Sequence, residues 1–118
     1  MEHTILVVED EQGIREAIGI YMKNQGYNVI LAANGKEGLE KIETNDIHLA
    51  IVDIMMPIMD GYEATLQIRK KDKKIPILAM SANAYMQDIQ KCYQAGMNGH
   101  ISKPLYLEDL KDRIIQIL

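Results

Sequence analysis

A doubly wound α/β sandwich is the fold class this sequence predicts, and three observations carry the prediction. Short, β-branched apolar runs alternate with stretches of helical spacing five times along the 118 residues. The runs at 5–8 and 49–52 are apolar at every position, as strands are when helices cover both faces of a parallel sheet. The length is that of one domain, able to bury about two thirds of its unfolded surface. A single domain over 1–118 is therefore expected, with right-handed crossovers by the general rule. The order of the strands is not legible in these patterns.

Strands are expected over 4–9, 28–32, 48–53, 75–81 and, more weakly, 99–102. The first helix, 11–25, places Ile14, Ile18, Tyr21 and Met22 on one face and stops at Gly26, a residue that tolerates the left-handed C-terminal cap. The second covers 36–44. The third, 62–71, turns Ala64, Thr65 and Ile68 inward and runs into a basic patch at 69–74, read as a solvated helix end. The fourth, 85–95, brings Met86, Ile89 and Tyr93 to one side, and the fifth, 107–118, uses Leu107, Leu110, Ile114 and Leu118. No linker, low-complexity tract or repeat interrupts the series.

Composition narrows the function. Hydrophobic residues make up 47% and charged residues 25%, which is ordinary globular usage. With no Phe or Trp and only six Tyr, the core must be mainly aliphatic, and eight Met fill its irregular gaps. A formal charge of -4 gives no reason to expect binding to nucleic acid or to an anionic membrane, so neither contact is expected. The lone Cys92 excludes an internal disulfide and reads as a core thiol in a reducing cytoplasm. No apolar run is long enough to span a bilayer and no signal peptide opens the chain, so a cytoplasmic domain is expected, free-standing or part of a longer parent.

Ligands of open parallel α/β sheets bind beyond the carboxyl ends of the strands. The first strand ends in Glu9-Asp10-Glu11, the third in Asp53 and the fourth in Ser81, while the fifth is followed by Lys103-Pro104. Crowded carboxylates repel one another unless a cation joins them. Magnesium suits such a site, because it takes oxygen ligands and commonly combines one or two carboxylates with phosphate oxygens. Aspartate is a covalent nucleophile in phosphoryl chemistry, and that chemistry depends mainly on positioning and charge. Lys103 would supply a point charge and Ser81 a hydroxyl. Taken singly, each residue has a plainer reading: Glu9 and Asp10 as helix-capping acids, Ser81 as a cap for the fourth helix, Lys103 as an exposed lysine before a turn. Their joint placement on one rim favours the site.

The segments "ILVVEDE", "IVDIMMPIMDG", "ILAMSANA" and "GHISKP" occur in that order along essentially the whole chain. Together they closely resemble the response-regulator receiver domain of bacterial two-component signalling and its hybrid-kinase relatives. The resemblance implies a flavodoxin-like (βα)5 sheet in the order 2-1-3-4-5. It further implies that Asp53 is the phosphoacceptor and that a histidine kinase or histidine phosphotransfer domain is the donor. Asp10 and Asp53 would ligate Mg2+ directly, Glu9 through water, and the backbone carbonyl of Met55 would complete the protein ligands. Lys103 would pair with phosphoryl oxygens, Ser81 would move inward to bond one of them, and Pro104 would follow a cis peptide bond.

His100 stands where the family often places a Tyr or Phe switch. It is either an imidazole that swings with Ser81, biased by protonation near neutral pH, or a partly exposed histidine without that role. His3 and His48 lie near strand starts, away from the site, as structural or solvated groups. The expected output is a change in the surface of the fourth helix, fifth strand and fifth helix, including Ala84, Tyr85, Met86 and His100, read by a downstream protein. Met55 and Asn83 flank the reactive centre. The segment from Met80 to Leu105 resembles receivers of hybrid histidine kinases in particular. Such a domain catalyses only its own phosphorylation and dephosphorylation. Three other readings compete. An aspartate-dependent phosphohydrolase would carry its nucleophile after the first strand with a second Asp two positions on, a spacing absent here. A nucleotide-binding domain would need a GxGxxG or GxxxxGK[ST] loop. The third is a receiver-shaped interaction module that is never phosphorylated.

Overall fold

The computed structural model describes residues 3–56, 59–81, 86–103 and 106–118. The strands are β1 (Thr4–Val8), β2 (Asn28–Ala32), β3 (Leu49–Asp53), β4 (Ile77–Ser81) and β5 (Gly99–Ser102). They alternate with helices α1 (Gln12–Asn24), α2 (Gly35–Thr44), α3 (Gly61–Lys71), α4 (Met86–Ala95) and α5 (Leu107–Ile117). All neighbouring strands are parallel, in the order β2-β1-β3-β4-β5. The doubly wound fold and the strand order implied by the resemblance are both present.

Successive side chains of a strand point to opposite faces, so a strand covered on both sides must be apolar at odd and even positions alike. On one face Leu6, Val8, Ala50, Val52 and Ala79 pack with Ala64 and Ile68 of α3 and Cys92 of α4. On the other, Ile5, Val7, Leu49, Ile51, Leu78 and Met80 pack with Ile18 and Met22 of α1 and Leu110 and Ile114 of α5. Every residue of β3 and β4 is buried.

Several ends differ from expectation, each for a local reason. Strand β3 begins one residue late because His48 closes the β1/β3 ladder instead: its N–H donates to the Thr4 carbonyl, and its Nδ1 accepts the Thr4 N–H at 2.9 Å. Before β4, the Ile75 N–H donates to Asp72 Oδ1, and Pro76 has no N–H to give a ladder. Gly26 adopts φ 94° as expected, and the N–H groups of Gly26 and Tyr27 reach back to the carbonyls of Lys23 and Met22. Gly96, at φ 106°, repeats the device after α4, with Gly96 and Met97 bonded to Tyr93 and Cys92.

Three packing expectations are corrected. In α4 Tyr93 is exposed, because the helix turns the adjacent position inward, where Cys92 is buried as expected of a core thiol. In α5 Leu118 is exposed and Ile117 packs against the core. Arg69 is not a solvated helix end: its guanidinium donates to Gly96 O (2.9 Å), Asp72 O (3.2 Å) and Asn98 Oδ1 (2.8 Å). The expectations for Asn83, Ala84, Tyr85 and the peptide bond before Pro104, and for the Met86 side chain, lie outside the described residues.

Candidate functional site

Strand register builds the site. Val8 pairs with Val52, so the next residues of the two strands, Glu9 and Asp53, leave the sheet side by side. Asp53 in turn pairs with Met80, one residue before Ser81, and Ser81 pairs with Ser102, one residue before Lys103. The Lys103 N–H donates to Ser81 O at 2.7 Å, which ties the ends of β4 and β5 together. The expected rim residues therefore converge.

Glu9, Asp10 and Asp53 each place a carboxylate oxygen within 4.8 Å of the others. Glu9 is fully buried and Asp53 nearly so, whereas Asp10 is exposed. Lys103 Nζ lies 3.3 Å from Asp53 Oδ2 and 3.4 Å from Glu9 Oε2. Asp53 Oδ1 accepts the Met55 N–H at 3.2 Å. The Met55 side chain is exposed beside it. Ser81 is buried at the end of β4.

Two acids and one lysine do not balance. Burial, a hydrogen bond with Asp53 and repulsion from its charge push the Glu9 carboxyl up to about 7, and Lys103 and the Glu11 N–H only partly oppose this. Burial alone would lower the Lys103 pKa, but the facing charges of Asp53 and Glu9 outweigh it and hold the ammonium above its ordinary value. Three carboxylates of which two are buried, with one cation shared between those two, form a donor set of the right chemistry for a hard divalent ion.

For Glu9 and Lys103 the plainer readings do not fit the geometry. The N-cap residue of α1 is Glu11, without a side-chain cap bond, and Glu9 instead accepts the Glu11 N–H at 3.3 Å. The Lys103 side chain is only 22% exposed. His100 is half-buried on β5 and lines a cleft of about 570 Å3 with Lys103, Tyr106, Asp109, Asp112 and Arg113. His3 and His48 meet edge to face at 5.2 Å near the opposite end of the sheet, a structural pairing.

Two residues escaped the sequence reading. Arg15 of α1 donates to the carbonyls of Glu9 (2.9 Å) and Asp10 (3.3 Å), fixing the acidic turn. Its acceptors are backbone atoms, which leave no mark in side-chain patterns. Gly61 opens α3 against the site: a Cβ there would stand 2.5 Å from Asp53 O. Its N–H donates to Ile54 O, and Asp60 before it caps the helix by accepting the Glu63 N–H at 2.8 Å. The Asp-Gly pair closing "IVDIMMPIMDG" was the available signal.

Residues 5–115 match the family described as response regulator receiver domain. A cyclic di-GMP phosphodiesterase of Thermotoga maritima is 38% identical over 98% of this chain, which covers 31% of that protein. Across the first curated relatives the chain spans 31% to 57% of their length. Among solved structures, the chemotaxis protein CheY4 of Vibrio cholerae superposes with a TM-score of 0.97 at 28% identity, with all of both chains covered. The receiver domain of the Pseudomonas aeruginosa sensor histidine kinase PA1611, described with a magnesium ion coordinated in its active site cleft, superposes at 0.90 with 32% identity, covering 99% of this chain and 98% of that one. The phosphodiesterase name belongs to a protein of which this chain matches less than a third, so it assigns no such activity here. The chain belongs to the response regulator receiver domain family of two-component signalling.

Proposed function

We propose that residues 1–118 form one Mg2+-dependent receiver that takes a phosphoryl group from a phosphohistidine onto Asp53 and reports it by a change of surface. The observation that carries this reading is the meeting of Glu9, Asp10 and Asp53 within 4.8 Å, with Lys103 Nζ 3.3 Å from Asp53. Receiver domains bind Mg2+ at an acidic pocket and interact with histidine kinases or phosphotransfer proteins. Here Asp10 and Asp53 would hold the ion directly, Glu9 through water and Met55 through its carbonyl. Once bound, it offsets the negative charge of the incoming phosphoryl oxygens.

The remaining work falls to the chain's own groups. The Asp53 carboxylate attacks phosphorus in line while the phosphorus–nitrogen bond of the donor imidazole breaks, so the reaction is chiefly one of positioning. The Met55 N–H fixes Oδ1, and Lys103, already beside Oδ2, stays to pair with the added charge. The Ser81 hydroxyl, at the end of the neighbouring strand, closes on a phosphoryl oxygen. Because the Lys103 N–H is bonded to Ser81 O, the ends of β4 and β5 move together. The new charge favours this closed arrangement and shifts its population. His100, on β5 beside Lys103 in the cleft against α5, lies where that shift reaches the surface. The downstream protein partner reads the α4, β5 and α5 face, and the setting is cytoplasmic. The likeness to the PA1611 receiver supports a hybrid histidine kinase as parent.

The test incubates the protein with Mg2+ and acetyl phosphate and reads intact mass beside Asp53→Asn. One phosphate-sized, Mg2+-dependent addition to the wild type and none to the variant is expected. An equal addition to both would place the acceptor elsewhere. No addition to a folded, Mg2+-loaded protein, even from a phosphorylated histidine donor, would leave an interaction module that phosphorylation does not regulate.

A further inference from the structure

The outer face of α3 carries a feature that chemistry at the rim does not use. Residues 69–74 hold five cations against the one carboxylate of Asp72, on a chain of net charge -4. A helix C-terminus favours cations, but it does not dictate what lies among them. Glu63, Leu66, Gln67 and Lys70 recur at helical spacing on one face of α3 and, with Arg69 and with Lys73 from the turn beyond the helix, line an open groove of about 600 Å3. Polarity on this helix is inverted at the groove: Thr65 is fully buried, while the next residue, Leu66, is 47% exposed.

The charges of the groove are available. Among the described residues, Lys70 and Lys73 have no carboxylate within ion-pair distance, whereas Lys71 is paired with Glu43. Glu63, the groove's single acid, accepts a hydrogen bond from Gln67 at 2.8 Å. Arg69 is anchored to Gly96, Asp72 and Asn98, so the C-terminal end of the groove is held before anything binds. A surface ordered in advance loses little entropy on association.

We infer that this groove docks an acidic segment of a partner protein, with an aliphatic side chain seated on Leu66 and carboxylates meeting Lys70 and Lys73. Charge complementarity names the occupant, and the exposed leucine gives the segment a place to anchor. A bilayer surface fits less well, because the site is concave and contains Glu63. A nucleic acid fits less well, because Glu63 and Leu66 lie among the lysines on a chain that is acidic as a whole.

Nitrogen-15-labelled protein is titrated with a peptide of about twelve residues, glutamates with two leucines four apart. The comparisons are an all-glutamate peptide of equal length, a short DNA duplex and phosphatidylglycerol vesicles. Saturable shifts centred on Leu66, Lys70 and Lys73 are expected, with the all-glutamate peptide about fivefold weaker. The Lys70→Glu/Lys73→Glu variant should bind about tenfold more weakly, and Leu66→Ser should bring both peptides to one affinity. All three changes are at exposed positions, and circular dichroism checks that the fold persists. The assignment is overturned by unsaturable or scattered shifts, by unchanged affinity in the charge-reversed variant, by indifference to the leucines, or by tighter binding of the duplex or vesicles.

Discussion

The two edges of the sheet treat polar groups in opposite ways. At the amino edge, polar atoms bridge elements in near-complete sets. Asn98 Oδ1 accepts both the Ile77 N–H (2.9 Å) and Arg69 Nη2 (2.8 Å), and His48 Nδ1 accepts the Thr4 N–H. At the carboxyl edge, buried Glu9 and Asp53 crowd together and share one lysine. The amino edge is arranged for stability. The carboxyl edge sets two buried acids against one lysine, an imbalance that the folded chain by itself relieves only by holding a proton on Glu9, as expected of a site awaiting a cation and a phosphoryl group.

The largest expected effect breaks the carboxyl edge by volume instead of charge. Gly61→Ala would put a methyl group 2.5 Å from Asp53 O and 2.7 Å from Ile54 Cα, both backbone atoms with little room to yield. A loss of about 3 kcal/mol in urea denaturation is expected, together with impaired phosphorylation, because the displaced atoms carry Asp53.

Charge at the same edge gives the next effect. The folded chain holds the Glu9 proton up to about pH 7, whereas the unfolded chain releases it near 4.5. The native state therefore binds more protons between those values, and stability without metal falls as pH rises through that window. Glu9→Gln, which copies the neutral acid, should be more stable than wild type at pH 8 by on the order of 2 kcal/mol. The difference should vanish near pH 4. Chemical denaturation of both proteins at the two pH values measures it, and a constant difference would contradict the account.

A change at the amino edge sharpens the comparison from the other side. Asn98→Ala strands the Ile77 N–H and one arm of Arg69, and should cost about 1 to 2 kcal/mol. Its Mg2+ affinity and phosphorylation should stay at wild-type levels. A parallel loss of phosphorylation would mean that the two edges are not separate.

These two edges were not equally legible in the sequence. The carboxyl edge could be read because the rule for ligands in parallel sheets points to strand ends, and Glu9, Asp10, Asp53, Ser81 and Lys103 are chemically conspicuous there. The amino edge could not, because its meaning lies in partners far along the chain: Arg69 bonds to residues 27 and 29 positions away, and in the sequence it is one more cation in a basic run. The buried strands showed themselves as unbroken apolar runs. Helix faces were less certain where neighbours compete, as Cys92 and Tyr93 do. Hydropathy ranks both as candidates, and only packing against β-strand side chains decides between them. Strand order came from the resemblance to receivers, since parallel strands of similar composition carry no label of their neighbours.

The most direct test of the claim that the carboxyl edge awaits a cation is thermal unfolding with and without Mg2+ at pH 8. At about ten times its dissociation constant, Mg2+ should raise the melting temperature of the wild type by about 5 °C. The rise should shrink at pH 5.5, where the ion must compete with the Glu9 proton, and disappear in Asp10→Asn/Asp53→Asn. A rise of the same size in that double variant, or no rise in the wild type at saturating Mg2+, would contradict the account.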